Sequence, residues 1–135
     1  WKNHAKELKL KKMKKLTCHC GRVEIEVSLP NDLKNLIRCN CSICKRRSAT
    51  MAKVGPNDLK IIKGKELLKL YQFHTKIAKH YFCSACGIYT HHNPRSDPSG
   101  YGINVACLEN VNPFDLKDIS VNDGINHPLD KNKIA

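Results

Sequence analysis

Seven of the eight cysteines in this chain fall into three tight clusters, and no other feature restricts the fold so strongly. Cys18-His19-Cys20 is C-x-C, Cys39-Asn40-Cys41-Ser42-Ile43-Cys44 is C-x-C-x-x-C, and Cys83-Ser84-Ala85-Cys86 is C-x-x-C. Two or three thiolates within a few residues suit a tetrahedral metal ion held at a backbone turn. Seven thiolates do not fill two closed four-ligand sites. They fill one closed site and one three-ligand site with an open position, and an open position on zinc usually means chemistry.

The first and third clusters share a feature that the middle one lacks. Gly21 follows Cys20 and Gly87 follows Cys86. A thiolate at a tight turn accepts hydrogen bonds from nearby backbone N–H groups, and glycine permits the positive φ such a turn often needs. Two such pairs, far apart in sequence, predict a structural Cys₄ site of Cys18, Cys20, Cys83 and Cys86. A redox dithiol or simply buried thiols are the alternatives. Cys39, Cys41 and Cys44 hold one face of a metal ion by themselves. Water, Cys107, a histidine or a substrate thiol are the candidates for the fourth place.

Charge bears on what an open Cys₃ site does. Three thiolates on Zn²⁺ leave a net −1, which makes a poorer Lewis acid than zinc on three neutral histidines. Soft ligands suit a soft incoming ligand, so the site reads better as a thiol binder than as a hydrolase centre. Lys45, Arg46 and Arg47 follow directly and either offset this charge, attract substrate carboxylates, or form a solvated basic turn.

A chain of 135 residues is most simply one domain. No apolar run approaches the length needed to span a bilayer. The charged N-terminus is not followed by an apolar signal segment, so a reducing, cytoplasmic setting is expected, where clustered cysteines read as metal ligands. The formal net charge is +12, and residues 1–15 hold seven lysines and one acid. Two Zn²⁺ ions on seven thiolates would lower the loaded protein to about +9. This balance suits anionic partners.

Residues 1–13 read as a basic extension with helical spacing of Trp1, Ala5 and Leu8, and residues 14–130 as the domain proper, with 131–135 as a tail. Val23, Ile25 and Val27 alternate with charged residues and predict a half-buried strand. Further strands are expected around 50–54, 59–62, 67–73, 76–82 and 101–108, with one turn of helix at 42–47. The architecture is mainly β.

Cys18-His19-Cys20-Gly21, Cys39-Asn40-Cys41-Ser42-x-Cys44 and Phe82-Cys83-x-x-Cys86-Gly87-Ile88-Tyr89 closely resemble the glutathione-dependent formaldehyde-activating enzyme family, also called the GFA or centromere-protein-V domain family. The likeness continues in Asn93-Pro94-Arg95-Ser96, Asn104-Val105-x-Cys107-Leu108 and Asn126-His127-Pro128-Leu129-Asp130. It implies a mainly β, Mss4-like (β-tent) fold with two Zn²⁺ ions, one structural and one catalytic-type on Cys39, Cys41 and Cys44. It implies the activity of a carbon–sulfur lyase that condenses glutathione with formaldehyde to S-hydroxymethylglutathione.

The two lines join in one mechanism. Glutathione's thiol takes the open zinc position, ionises and adds to the carbonyl carbon, while Arg46, Arg47 and Arg95 are candidates to pair with its carboxylates. His91-His92 is the first candidate proton shuttle, against a bland reading as packed strand-end residues. The rival function is a zinc-stabilised binding module or thiol carrier without turnover, whose basic extension contacts nucleic acid.

Overall fold

Short β-strands with cysteine-bearing turns between them make up most of the described chain. The structure, a computed structural model, describes residues 11–30 and 33–126. Strands β1 (Lys11–Thr17), β2 (Glu24–Pro30) and β5 (Leu59–Lys63) form a three-stranded antiparallel sheet in the order β1-β2-β5. Strands β3 (Ile37–Cys39), β4 (Met51–Val54), β6 (Leu68–Tyr71), β7 (Lys79–Cys83), β8 (Tyr89–Asn93), β9 (Tyr101–Asn104) and β10 (Ser120–Asn122) form a seven-stranded sheet. Its order is β10-β3-β4-β9-β8-β7-β6, antiparallel apart from the parallel pair β10–β3. The mainly β, single-domain architecture expected from the sequence is what the structure shows.

Period-two patterning sets the core. In β2, Ile25, Val27 and Leu29 point inward and are buried while Glu24, Glu26 and Ser28 are half-buried. They meet Ala52, Val54, Ile103 and Val105 from the larger sheet, together with Leu16, Val23, Leu36 and Leu108. A smaller cluster of Cys44, Ala49, Met51 and Tyr89 lies beneath helix α1 (Ser42–Arg47). This helix has the bounds predicted from the sequence.

The basic segment differs from its sequence reading. Lys11–Met13 belong to β1, which pairs with β2 from Lys11 opposite Pro30 to Thr17 opposite Glu24. The helical reading of residues 1–10 lies outside the described residues, as do residues 127–135. Lysines on an outer strand oppose edge-to-edge pairing with another chain, which gives Lys11, Lys12, Lys14 and Lys15 a role in solubility. The expected strand at 101–108 ends at Asn104, whose side chain accepts from Ala106 N–H at 3.2 Å and starts a 3₁₀ turn over Val105–Cys107. Strand β8 gave no alternating signal because Tyr89, Thr90, His91 and His92 are all buried.

Candidate metal centre

The two outer cysteine clusters occupy matching turns. Cys18 follows β1, and Cys83 ends β7. Gly21 N–H donates to the Cys18 carbonyl at 3.2 Å and Gly87 N–H to the Cys83 carbonyl at 2.7 Å. Both glycines have left-handed φ, +78° and +81°, so a residue with a Cβ would be strained in either turn. The Cys18 sulfur also accepts from Val23 N–H at 3.4 Å.

These turns bring four sulfurs from opposite sheets together. The Sγ atoms of Cys18, Cys20, Cys83 and Cys86 lie within 4.8 Å of one another. Cys18 Sγ and Cys20 Sγ are 3.5 Å apart, and Cys20 Sγ and Cys83 Sγ 3.8 Å. A tetrahedron with Zn–S bonds of about 2.3 Å has edges of roughly 3.8 Å, so the donor set fits zinc. Burial pushes the Cys83 thiol up to about 11. Burial also opposes ionisation of Cys86, yet backbone hydrogen bonds at Cys20 and Ile88 and side-chain hydrogen bonds to Cys83 and Cys18 together bring it down to about 6.

The middle cluster is built differently. Cys39 ends β3, and Cys41 caps helix α1, its sulfur accepting from Cys44 N–H at 3.5 Å. The three Sγ atoms of Cys39, Cys41 and Cys44 lie within 4.8 Å of one another. Hydrogen bonds from Cys39 and Cys44 push Cys41 far down, whereas the hydrogen bonds of Cys44 to Cys39 and Cys41, with burial, push Cys44 up. Three thiolates do not coexist at this spacing without a cation between them, which a Zn²⁺ ion would supply.

Among the described residues, no fourth cysteine, histidine or carboxylate joins this group. Cys107 is turned elsewhere: its thiol approaches the Tyr89 carbonyl at 3.7 Å, and burial followed by the charges of Cys18 and Cys86 pushes it up to about 11. It is therefore a neighbour of the outer site, not the eighth ligand. The open side of the Cys39/Cys41/Cys44 group faces a cleft of about 270 Å³. Lys53, Phe73, His80, His92 and Arg95 are among its lining residues.

A segment remote in sequence closes one wall. Asn40 Oδ1 accepts from Gly124 N–H at 2.7 Å and Ile125 N–H at 3.1 Å, and Asn122 Nδ2 lies 3.8 Å from Cys39 Sγ. A Cβ on Gly124 would stand 2.6 Å from both Cys39 Sγ and Cys41 Cβ, so this close approach needs glycine. The sequence reading missed Gly124, because only β10 pairing with β3 brings it there.

The three arginines go to three different places. Arg95 lines the cleft. Arg46 is exposed and bends back to the Ser42 carbonyl at 2.8 Å. Arg47 turns inward. Its Nη2 donates to Cys44 Sγ at 3.2 Å, its Nη1 lies 3.0 Å from His80 Nδ1, and its guanidinium carbon stands 3.8 Å above the Tyr89 ring. Of the His91-His92 pair, only His92 lines the cleft. His91 stacks on Tyr81 with centroids 4.6 Å apart, and burial holds it down at about 4. His80 is held down at about 4 by burial and then by Arg47, and His92 at about 3 by the same two causes. His80, absent from the sequence reading, is the histidine that Arg47 touches.

Comparison with known proteins supports the fold and gives the family. The crystal structure of a Rhodobacter sphaeroides protein, a structural-genomics target, is 55% identical to this chain and superposes with a TM-score of 0.76. That match covers 80% of this chain and 99% of the other. The model of the glutathione-dependent formaldehyde-activating enzyme family matches residues 13–120, which include all seven clustered cysteines. The chain belongs to the glutathione-dependent formaldehyde-activating enzyme family.

Proposed function

We propose that this protein binds two Zn²⁺ ions and joins glutathione to formaldehyde as an S-hydroxymethylglutathione synthase-like carbon–sulfur lyase. The observation that carries the reading is the three-sulfur group of Cys39, Cys41 and Cys44, short of a fourth donor and open to a cleft. Cys18, Cys20, Cys83 and Cys86 hold the structural ion and tie the β1–β2 hairpin to the β7–β8 hairpin. Zinc on the middle group would supply a fourth position that takes a soft thiol and keeps it ionised at neutral pH.

The chain's own residues do the rest. Lys53 and Arg95 line the cleft and bring positive charge toward the glutathione carboxylates. Phe73, His80 and His92 line the same cleft as a stack of rings. The thiolate sulfur forms a bond to the carbonyl carbon, and the C=O π pair moves onto oxygen. Solvent receives the thiol proton at binding and returns one to the oxygen.

Glutathione and formaldehyde combine without a catalyst, so the test is the exchange rate at equilibrium, read by exchange NMR on the adduct. Zinc-loaded protein is expected to accelerate exchange, and Cys41→Ser to lose that acceleration while keeping one zinc per chain. Two zincs per chain with neither glutathione binding nor faster exchange would sink the proposal.

A further inference from the structure

A single guanidinium connects the Cys39/Cys41/Cys44 group to a histidine that lines the same cleft. Arg47 reaches Cys44 Sγ with one terminal nitrogen and His80 Nδ1 with the other. An arginine has only donors, so the hydrogen bond to His80 Nδ1 requires that this nitrogen carry no proton. His80 is then neutral, and its one N–H is on Nε2. The ring has little freedom to flip. It stacks between Phe73, with centroids 5.8 Å apart at 24°, and His92, with centroids 5.4 Å apart at 19°. Arg47 is fixed in its turn by the Tyr89 ring beneath it. His80 lines the cleft into which the Cys39/Cys41/Cys44 group opens.

We infer that Arg47 holds His80 as its Nε2–H tautomer, and that this N–H donates a hydrogen bond to the aldehyde oxygen as negative charge develops on it. The inference rests on the proposed thiol–aldehyde chemistry and adds a catalytic residue, His80, and a positioning residue, Arg47. When the sulfur–carbon bond forms, the π pair moves to oxygen and His80 Nε2–H lies against that charge. His80 keeps its proton, since loss of it would leave an imidazolate. The oxygen is protonated by solvent. A neutral imidazole suits this work, because it donates without having to be recharged after each turnover.

The same contact gives Arg47 a second effect. Its charge lies against Cys44 Sγ, where it would offset the net −1 of zinc held by the three thiolates. Arg47 was a sequence candidate for binding substrate carboxylates. Its guanidinium is committed to sulfur, imidazole and ring instead.

The test uses the zinc-loaded full chain labelled with ¹⁵N at histidine. The ring nitrogen signals of His80 should report a proton on Nε2 and none on Nδ1 at neutral pH, with mixed tautomers in Arg47→Gln. A proton on Nδ1, or a cationic ring, overturns the inference whatever the activity. For turnover, His80→Phe keeps the ring stack and removes the donor. It should lower the maximal exchange rate roughly 100-fold, with glutathione affinity little changed. His80→Gln, which keeps an N–H donor, should recover part of that loss. An unchanged rate in a folded His80→Phe protein of normal zinc content overturns the catalytic role. If wild-type protein binds zinc and shows the expected tautomer but accelerates nothing, the reading of the reaction fails and the role of His80 in it falls too.

Discussion

Gly124→Ala probes how tightly the fold holds the open site. Carbon meets its neighbours comfortably at roughly 3.5–4.0 Å. The new methyl would stand 2.6 Å from Cys39 Sγ and 2.6 Å from Cys41 Cβ, an overlap of about 1 Å on two ligands at once. A metal–ligand distance tolerates about 0.2 Å, so moving the cysteines by that amount breaks the site. Moving the glycine instead breaks the hydrogen bonds from Gly124 N–H and Ile125 N–H to Asn40. Either route costs about 1–3 kcal/mol, the usual penalty of overpacking. That should weaken zinc at the middle site by roughly 5-fold to 150-fold at 1.4 kcal/mol per tenfold change. Chelator competition with a colorimetric zinc indicator measures it, and the outer site serves as the internal reference. Gly21→Ala is the control, since nothing lies within 4 Å of its added Cβ and only its φ of +78° is strained. A Gly124→Ala protein that holds its second zinc as tightly as wild type would refute the reasoning.

Three further outcomes are expected. Cys83→Ser removes a ligand from the site joining the two sheets and should abolish the cooperative unfolding transition seen by circular dichroism, whereas Cys41→Ser should still unfold cooperatively. His91, held at about 4 against an ordinary 6.5, takes up its proton in the unfolded chain first as the pH falls. Stability is therefore full above pH 6.5 and falls toward pH 4, by about 3 kcal/mol from this group. Urea unfolding at pH 7 and pH 5 should show a smaller loss for His91→Phe than for wild type, and equal losses would contradict the assignment. Lys15→Ala removes the ion pair of an exposed lysine with half-buried Glu24 at 3.5 Å and should change the unfolding free energy by less than about 1 kcal/mol, measured by urea titration.

The parts of the fold legible in the sequence were those with a strong local signal. Strand β2 alternates apolar and charged residues because one face packs on the core, and helix α1 is short and begins at a capping cysteine. Strand β8 was not legible, since a strand buried along its whole length carries no alternation, and here its polar residues are paired inside: Tyr89 Oη with His92 Nδ1 at 2.6 Å and Thr90 Oγ1 with His91 Nδ1 at 2.8 Å. Strand β1 was misread in part because a lysine-rich edge strand and a basic helix have nearly the same composition.

The sequence by itself determined the ligand sets' raw material: which cysteines stand close enough along the chain to share an ion, and where glycine lets the backbone turn beneath them. Those are short-range matters of spacing and φ. The recurring glycine also paired the first cluster with the third, and the four sulfurs do meet. Only the tertiary structure decided where Cys107 turns and what faces the open site. Cys20 meets Cys83 across 63 residues, Arg47 meets His80 across 33 and Asn40 meets Gly124 across 84. Each meeting depends on strand order and register, which are settled by the burial of whole sheet faces and not by the residues that happen to meet.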